Sequence, residues 1–277
     1  RAPSQRVKAP REDGARLELR DSVVSKNACG VDITGGRGGV EALVDATQIL
    51  DNQEAGLSMS AGALRRTTTT VIDTTIARNV GGGVVISATN GNGMDVFVRG
   101  TTISDNTAAR GAGLSMVRLS QDDSSVQVVN STISRNVATN AGDAIYGDGG
   151  DLDLRNVTVT GDVVTLEGSS TTARNSILAG GCAGGLLSAG YNVIDGDVAS
   201  CAISGDATGN VNGPPRLGPL ATNGGPTTTH ALLAGSPAWN GGNPAGCVDG
   251  DDLVLSADQR GAARPQAGRC DVGAFES

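Results

Sequence analysis

The stretch that decides the fold is DTTIARN at residues 73–79, which recurs as GTTISDN at 100–106 and as NSTISRN at 130–136. Four further segments share its pattern, in which an aliphatic residue, here called the anchor, is followed three places later by a polar or small one. Successive anchors lie 19 to 30 residues apart, a period typical of solenoids. The seven anchors are Val24, Ile49, Ile76, Ile103, Ile133, Val159 and Leu178.

Apolar residues alternate with polar ones on both sides of each anchor. Val71 and Thr69 precede Ile76 by five and seven places, which is the period-two pattern of a strand. A third alternation follows each repeat, and in a late repeat we place it at Val164 and Leu166. Three short strands in about 26 residues cannot bury an apolar face alone, whereas stacked coils can. The sequence therefore predicts an all-β parallel β-helix of about seven or more coils.

Five asparagines follow their anchors at the same distance. They are Asn27, Asn52, Asn79, Asn106 and Asn136. We favour a structural interpretation, in which Asn adopts the left-handed backbone of a bend and its amide bonds backbone groups and stacks on the next amide. The alternative is a polar stripe that binds a ligand. The glycosylation sequons at Asn130 and Asn156 also occupy turn positions.

Composition narrows the class of protein. Gly accounts for 42 of 277 residues without a period of three, which excludes collagen, and Trp, Tyr and Phe together number only five. The net charge of -8 and the pI near 4.6 argue against nucleic acid, whose phosphates are bound by Lys and Arg. No run approaches about 18 consecutive apolar residues, so we expect no membrane span. No leader is seen, and the chain looks trimmed at its start.

Three regions are expected. Residues 1–16 are charged and lack an apolar period, which predicts a flexible arm or the remainder of upstream coils. Residues 17–181 form the coils. Residues 182–277 are rich in Gly and Pro and hold four of the five cysteines, so we expect terminal coils and a cap that shields the last coil. The N-terminal end of the solenoid is expected to be open.

The cysteines indicate oxidising surroundings. Cys182 with Cys201, and Cys247 with Cys270, would close loops short enough for each bond to stabilise the fold by roughly 3 kcal/mol. A metal site is the weaker alternative, because no CxxC pair occurs and the chain has one histidine. Cys29 is left over, and we expect it to be buried as a small apolar residue or bonded elsewhere.

The C-terminal third carries a family resemblance. GCAGGLLSAGYNVIDGD at 181–197, LGPLATNGGPTTTHALLAGSPAWNGG at 217–242 and DQRGAARPQAGRCDVGAFE at 258–276 resemble secreted bacterial right-handed β-helix repeat proteins with a choice-of-anchor Q domain. The resemblance covers about residues 20–277 and implies a right-handed helix with disulfides Cys182–Cys201 and Cys247–Cys270. It also implies a secreted or cell-surface location, and this chain shows no sorting tail after Ser277. The resemblance implies no particular biochemical activity.

Catalytic candidates do not converge in the sequence. The carboxylate clusters are Asp122 and Asp123; Asp148, Asp151 and Asp153; and Asp249, Asp251 and Asp252. Solvated turns are the favoured interpretation for all three, and the last cluster is also a weak calcium candidate. His230 lies in THALL and is expected to be structural, and the scattered aromatic residues offer no sugar-stacking platform.

We therefore expect an extracellular structural protein, a self-associating fibre or surface-layer subunit or an adhesin, that needs no cofactor although Ca²⁺ is possible. Its expected partners are further copies of itself or cell-surface and matrix components. The alternative is a polysaccharide lyase or glycoside hydrolase that acts in a lateral groove. Two carboxylates and an Arg facing one concave strip would favour that enzyme.

Overall fold

The computed structural model describes residues 5–8, 14–36, 38–61, 65–88, 93–119, 124–196, 199–266 and 268–277. In these ranges the regular structure is β throughout. The strands are β1 Gln5–Lys8, β2 Ala15–Arg20, β3 Val23–Ser25, β4 Val31–Thr34, β5 Val40–Asp45, β6 Gln48–Leu50, β7 Leu57–Ser60, β8 Thr67–Ile72, β9 Thr75–Ala77, β10 Val84–Ser87, β11 Met94–Arg99, β12 Thr102–Ser104, β13 Thr107–Arg110, β14 Leu114–Leu119, β15 Ser125–Val129, β16 Thr132–Ser134, β17 Val137–Ala141, β18 Ile145–Arg155, β19 Thr158–Thr160, β20 Val163–Thr165, β21 Ser169–Arg174, β22 Ile177–Ala179, β23 Cys182–Ala189, β24 Val193–Asp195, β25 Cys201–Asp206, β26 Val211–Asn212, β27 Leu217–Ala221 and β28 Thr229–Leu232.

The strands stack into three parallel faces. The first face runs β2-β5-β8-β11-β15-β18-β21-β23, and the second runs β3-β6-β9-β12-β16-β19-β22-β24-β26. The third runs β1-β4-β7-β10-β14-β18-β20-β23. Strands β18 and β23 are long enough to contribute to both the third and first faces, and β25 pairs with β23. Each coil therefore contributes one strand segment to each face, which confirms the parallel β-helix.

The anchors form a continuous column inside the prism. Val24 pairs with Ile49, Ile49 with Ile76, and the register continues unbroken to Leu178. Each of these side chains is buried. The seven anchors therefore stack as one core ladder, because equivalent residues of successive coils are direct neighbours in a parallel register.

One predicted register is wrong by a single residue. We expected Val164 and Leu166 to face the core of the third face, but Val163 and Thr165 do so, and Leu166 is exposed. In the segment Val163-Val164-Thr165-Leu166, both alternating sets of side chains contain an apolar residue. The sequence alone therefore does not determine which set faces the core.

Two residues with positive φ bound the short strand of the second face at six of the seven anchors, Leu178 being the exception. They lie three places before the anchor and two places after it, as at Asp73 (φ 45°) and Arg78 (φ 57°) around Ile76. We expected the Asn of each repeat to take the left-handed conformation, and this is wrong, because the residue before it does so. Asn79 instead follows the turn and is buried.

The buried asparagines form a hydrogen-bonded ladder. Asn79 Nδ2 donates to Asn106 Oδ1 at 3.0 Å and to the carbonyl oxygen of Ile49, the anchor of the preceding coil, at 3.1 Å. The backbone N–H of Asn79 also donates to Asn106 Oδ1, at 2.9 Å. The same bonds recur at Asn52, and at Asn106 with Asn136 as its partner. These contacts support the structural interpretation, since the amides satisfy backbone groups of four successive coils.

The N-terminal region differs in part from its prediction. Strand β1 lies within the range predicted as a flexible arm, yet it pairs in parallel with β4 in the register Gln5 to Val31. Residues 1–4 and 9–13 lie outside the described residues. Gln5–Lys8 therefore extends the third face and is not a free arm.

The disulfide-bonded C-terminal segment is confirmed, but it lies elsewhere than expected. Cys182–Cys201 and Cys247–Cys270 are bonded, with Cα atoms 5.3 and 6.0 Å apart. Coils continue to β26, and the chain then returns along the side of the helix. Thr227 bonds the coil of Gly100, and Val248 O bonds the coil of Asn156.

The last coil is consequently exposed. Ile203 stacks in register on buried Leu186, and Val211 stacks on buried Val193. Ile203 and Val211 are nevertheless 42% and 39% exposed. The end that was expected to be shielded presents the core-facing side chain of Ile203 to solvent, whereas Val211 continues an outward-facing column of the second face.

Replacing Asn106 by Ala tests the ladder. The change leaves Asn79 N–H and Nδ2 and the Ile76 carbonyl oxygen without their partner, so the free energy of unfolding should fall by about 2–4 kcal/mol. Urea unfolding measures it. Asn140, which is exposed in β17, is the matched control, and Asn140→Ala should change stability by about 0.5 kcal/mol or less. Equal losses in both variants would refute a structural ladder.

Candidate functional site

Several outward charges on the coils form ion pairs between neighbouring coils. Arg20 pairs with Asp45, Arg78 with Asp51 at 2.7 Å, and Arg135 with Asp105 at 2.7 Å. The hydrogen bond from Arg78 lowers the pKa of Asp51. Such exposed pairs contribute little stability individually, but they occupy the side chains. Groups outside these pairs are therefore the candidates for chemistry.

The predicted calcium candidates fasten the C-terminal segment to the first face. Asp249 Oδ2 accepts a hydrogen bond from Arg99 at 2.7 Å, and its Oδ1 accepts from the backbone N–H of Asp251 and Leu253. Asp252 pairs with Arg174 at 3.2 Å. Across the described ranges, no group of three or more His, Cys, Asp or Glu is arranged to hold a metal ion. Asp249 and Asp252 thus make separate contacts with the coils, and Asp251 is exposed.

The other carboxylate clusters are also dispersed. Asp153 pairs with Arg155 at 2.7 Å on the first face, and Asp151 is exposed beside it. Asp148 lies on the third-face part of β18. Asp122 and Asp123 lie outside the described residues. None of the described clusters supplies two converging carboxylates.

A cleft of about 490 Å³ lies between the coils and the returning segment. Asp73 and Arg99 line one side of it, where the chain turns from the first face to the second. The exposed side chains of Leu253 and Val254, in the returning C-terminal segment, line the other side. Asp73 makes no side-chain hydrogen bond to a described residue, in contrast to Asp249. Burial, and secondarily the charge of Asp45, raises the pKa of Asp73. Its carboxylate is the uncommitted ionisable group of this cleft.

Gly100 explains how Asp73 is accommodated. A Cβ atom at residue 100 would lie 2.1 Å from Asp73 Oδ1, and the backbone there has φ +63°. The repeat GTTISDN therefore begins with glycine where the coils on either side have Asp73 and Asn130. The signal in the sequence is the first position of the repeat, where Gly100 stands between Asp73 and Asn130 of the neighbouring coils.

His230 is buried where the β27–β28 hairpin crosses the second face. Its Nε2 lies 2.8 Å from Ser134 Oγ, and its Nδ1 lies 2.7 Å from Gly218 O. Nδ1 therefore donates to the carbonyl and Ser134 donates to Nε2. Burial lowers the pKa of His230, outweighing the bond to Gly218 O. Ser134 is itself fully buried, so this Ser–His pair joins the hairpin to the coils and has no access for a substrate.

The residues that carry the family resemblance form a buried polar joint. Arg264 Nε donates to Glu276 Oε2 at 2.9 Å, and Arg264 Nη1 donates to Asn130 Oδ1 at 3.0 Å. Gln259 donates to Thr102 Oγ1 and Thr227 Oγ1, both at 2.9 Å. The DQRG, RP and GAFE elements thus fix the segment to the coils. Asn130 lies inside this joint, which leaves no room for a glycan on it.

Cys29 differs from its expectation. It is partly exposed, and its thiol donates to Glu54 Oε2 at 2.5 Å in the next coil. It therefore is not the buried apolar residue that was predicted.

These features define the class of protein as a parallel β-helix whose C-terminal segment is laterally fastened and disulfide-bonded. The family described as Right handed beta helix region matches residues 11–192, and the chain belongs to it. The helix is accordingly right-handed. No curated protein matched this chain. Within the described ranges, no helix has the length and hydropathy needed to cross a bilayer.

The His230 contacts predict a pH-dependent stability. The unfolded imidazole titrates near pH 6.5, whereas the folded one titrates lower, so stability should fall as pH drops below about 6.5. His230→Phe should cost about 2 kcal/mol or more at pH 7.5, because Ser134 and Gly218 O lose their partner, and should flatten the slope between pH 7.5 and 5.5. Urea unfolding at several pH values measures both. An unchanged slope in the variant would contradict this assignment.

Proposed function

We propose that the protein is an extracellular or cell-surface structural β-helix that self-associates through its last coil. The observation that carries the proposal is the exposure of Ile203, which stacks on buried Leu186 at a position that is buried in every preceding coil. An apolar, unpaired strand edge is a template for another chain. Two disulfides and the choice-of-anchor Q resemblance support a secreted location.

The edge is held in place before any partner arrives. The Cys182–Cys201 disulfide links β25 to β23 and closes a loop of 19 residues, which stabilises the coil by roughly 3 kcal/mol. A pre-ordered edge loses less conformational freedom on association than a flexible one. The last coil is therefore suited to docking.

A second copy of the same coil fits this edge. Strand β25 reads CAISGD, so Asp206 is its single charged residue. Two copies paired antiparallel about Ile203 would place Asp206 opposite Ser200, and like charges would not face each other. The resulting twofold contact closes on itself, as in most soluble homo-oligomers.

Size-exclusion chromatography with light scattering tests the proposal. The wild-type chain should run at about twice 27.6 kDa, and Ile203→Asp should run as a monomer with little change in thermal stability, because Ile203 is already 42% exposed. Val80→Asp is the matched control. Val80 is 60% exposed and follows β9, several coils away from the last coil. A monomeric wild type at high concentration, or dissociation by Val80→Asp, would sink the proposal.

A second candidate, a polysaccharide lyase or glycoside hydrolase acting in a lateral groove, is favoured by the cleft of Asp73 and Arg99. Asp249 also faces it, but Arg99 and two backbone donors occupy that carboxylate. One uncommitted carboxylate fits the single base of a lyase better than the carboxylate pair of a hydrolase.

Incubation with uronate polysaccharides tests this candidate. A lyase produces an unsaturated uronate detectable by ultraviolet absorbance, and the rate should rise with pH as Asp73 ionises through its raised pKa. Asp73→Asn should lower the rate by about 100-fold or more, whereas Asp251→Asn, an exposed change in the adjacent segment, should leave it unaltered. No product from any uronate polymer would remove the candidate.

A further inference from the structure

A groove of about 670 Å³ lies at the corner between the third and first faces, in the first three coils. Arg16, Glu41, Arg65, Arg66 and Thr68 line it together with backbone. A smaller hollow of about 150 Å³ shares Arg16, Glu41 and Thr68 and continues the groove along the outer surface of the first face. The two form one extended depression that crosses successive coils.

The groove is a local positive region in an acidic chain. Three arginines face one glutamate, although the whole chain has a net charge of -8. Neither Arg16 nor Arg65 forms a hydrogen bond or ion pair with another described residue, whereas almost all arginines elsewhere on the coils pair with carboxylates. Two guanidinium groups are therefore available to a ligand.

The third guanidinium is oriented by its neighbours. Arg66 Nη2 donates to Asp95 Oδ1 at 2.6 Å, and Ser125 donates to the same oxygen at 2.8 Å. The bond from Arg66 lowers the pKa of Asp95, so the pair stays ionised. Arg66 thus forms a fixed wall of the groove beside the two available arginines.

Glycine keeps the floor of the groove at backbone level. Gly39 has φ +71°, and a Cβ atom there would lie 2.4 Å from Arg66 O. A side chain at this position would both strain the backbone and collide with the chain of the next coil. Gly39 therefore allows the backbones of neighbouring coils to approach closely beside the groove.

We propose that this groove binds an acidic polysaccharide, with Arg16 and Arg65 holding its carboxylate or sulfate groups. The planar guanidinium donates in the forked geometry that such oxyanions accept. Glu41 and Thr68 supply the acceptors and hydroxyl that sugar hydroxyl groups need. Nucleic acid fits less well, because the groove contains no aromatic residue for base stacking and the rest of the chain is acidic.

The site is separate from the self-association edge. It belongs to coils near β2, β5 and β8, whereas the last coil contains β25 and β26. The binding proposal therefore holds whether or not the chain forms dimers. Groove variants should leave the molecular mass in solution unchanged, so that the two proposals fail independently.

Binding to immobilised polygalacturonate and dextran sulfate, with neutral dextran as reference, tests the inference on the full chain. Arg16→Ala/Arg65→Ala should weaken binding about tenfold or more, and added salt should weaken wild-type binding as it screens the contacts. Arg78→Ala/Arg135→Ala is the matched control, because it makes the same change in net charge on the second face and should bind like wild type.

Thermal unfolding establishes that both double variants remain folded, as expected for exposed side chains. Equal binding by the groove variant and wild type would overturn the inference, and so would an equal loss in the control variant. Failure of the wild type to bind either acidic polymer above neutral dextran would also overturn it. Tighter binding of single-stranded DNA than of both acidic polysaccharides would reassign the groove to a different polymer.

Discussion

Hydrogen bonding between successive coils in one fixed parallel register is the constraint on which the rest of the structure depends. It places Ile76 beside Ile103 and Asn79 beside Asn106, so that a choice made at one position is repeated along the axis. A column of aliphatic side chains supplies apolar burial, and the asparagine column satisfies the backbone of the turn next to it. A single coil could form neither column, since the side-chain amide of each ladder asparagine bonds to another coil.

The returning C-terminal segment explains why the coils of Ile103 and Ile133 differ from the first coils in their outward residues. Thr102, Thr132 and Ser134 point away from the core yet are buried, because the β27–β28 hairpin and Gln259 cover them. Small hydroxyl side chains allow a close approach and still bond the segment. The buried Arg264–Glu276 pair is costly to desolvate, and the hydrogen bonds around it compensate for that cost. This network fixes the position of the segment more than it adds stability.

The coil architecture could be predicted because the repeat carries the information many times. Seven anchors at equivalent positions define a column even when one segment, such as 163–166, is ambiguous by one residue. The path of residues 213–277 occurs once and has no period, so its lateral course and the exposed last coil could not be read from the pattern. The cleft of Asp73 was hidden for the same reason, since one wall comes from that segment. The arginine groove was hidden because Arg16 and Arg65 lie in separate coils, far apart in sequence.

Regular stacking also makes charge on the outer surface informative. Outward residues of neighbouring coils lie about 4.8 Å apart, so opposite charges at equivalent positions meet and neutralise each other. Arg20 with Asp45 and Arg78 with Asp51 follow this rule. Asp73 departs from it, since the adjacent coils offer it no counter-charge, and Arg16 departs from it because it lies opposite Glu41 in register without forming an ion pair with it. Such a charge must remain solvated or find a ligand, and a groove with room beside it favours the ligand. On the surface of a β-helix, the charges that are not paired with a neighbouring coil are therefore the candidates for ligand binding. A count of acidic or basic residues would not identify them.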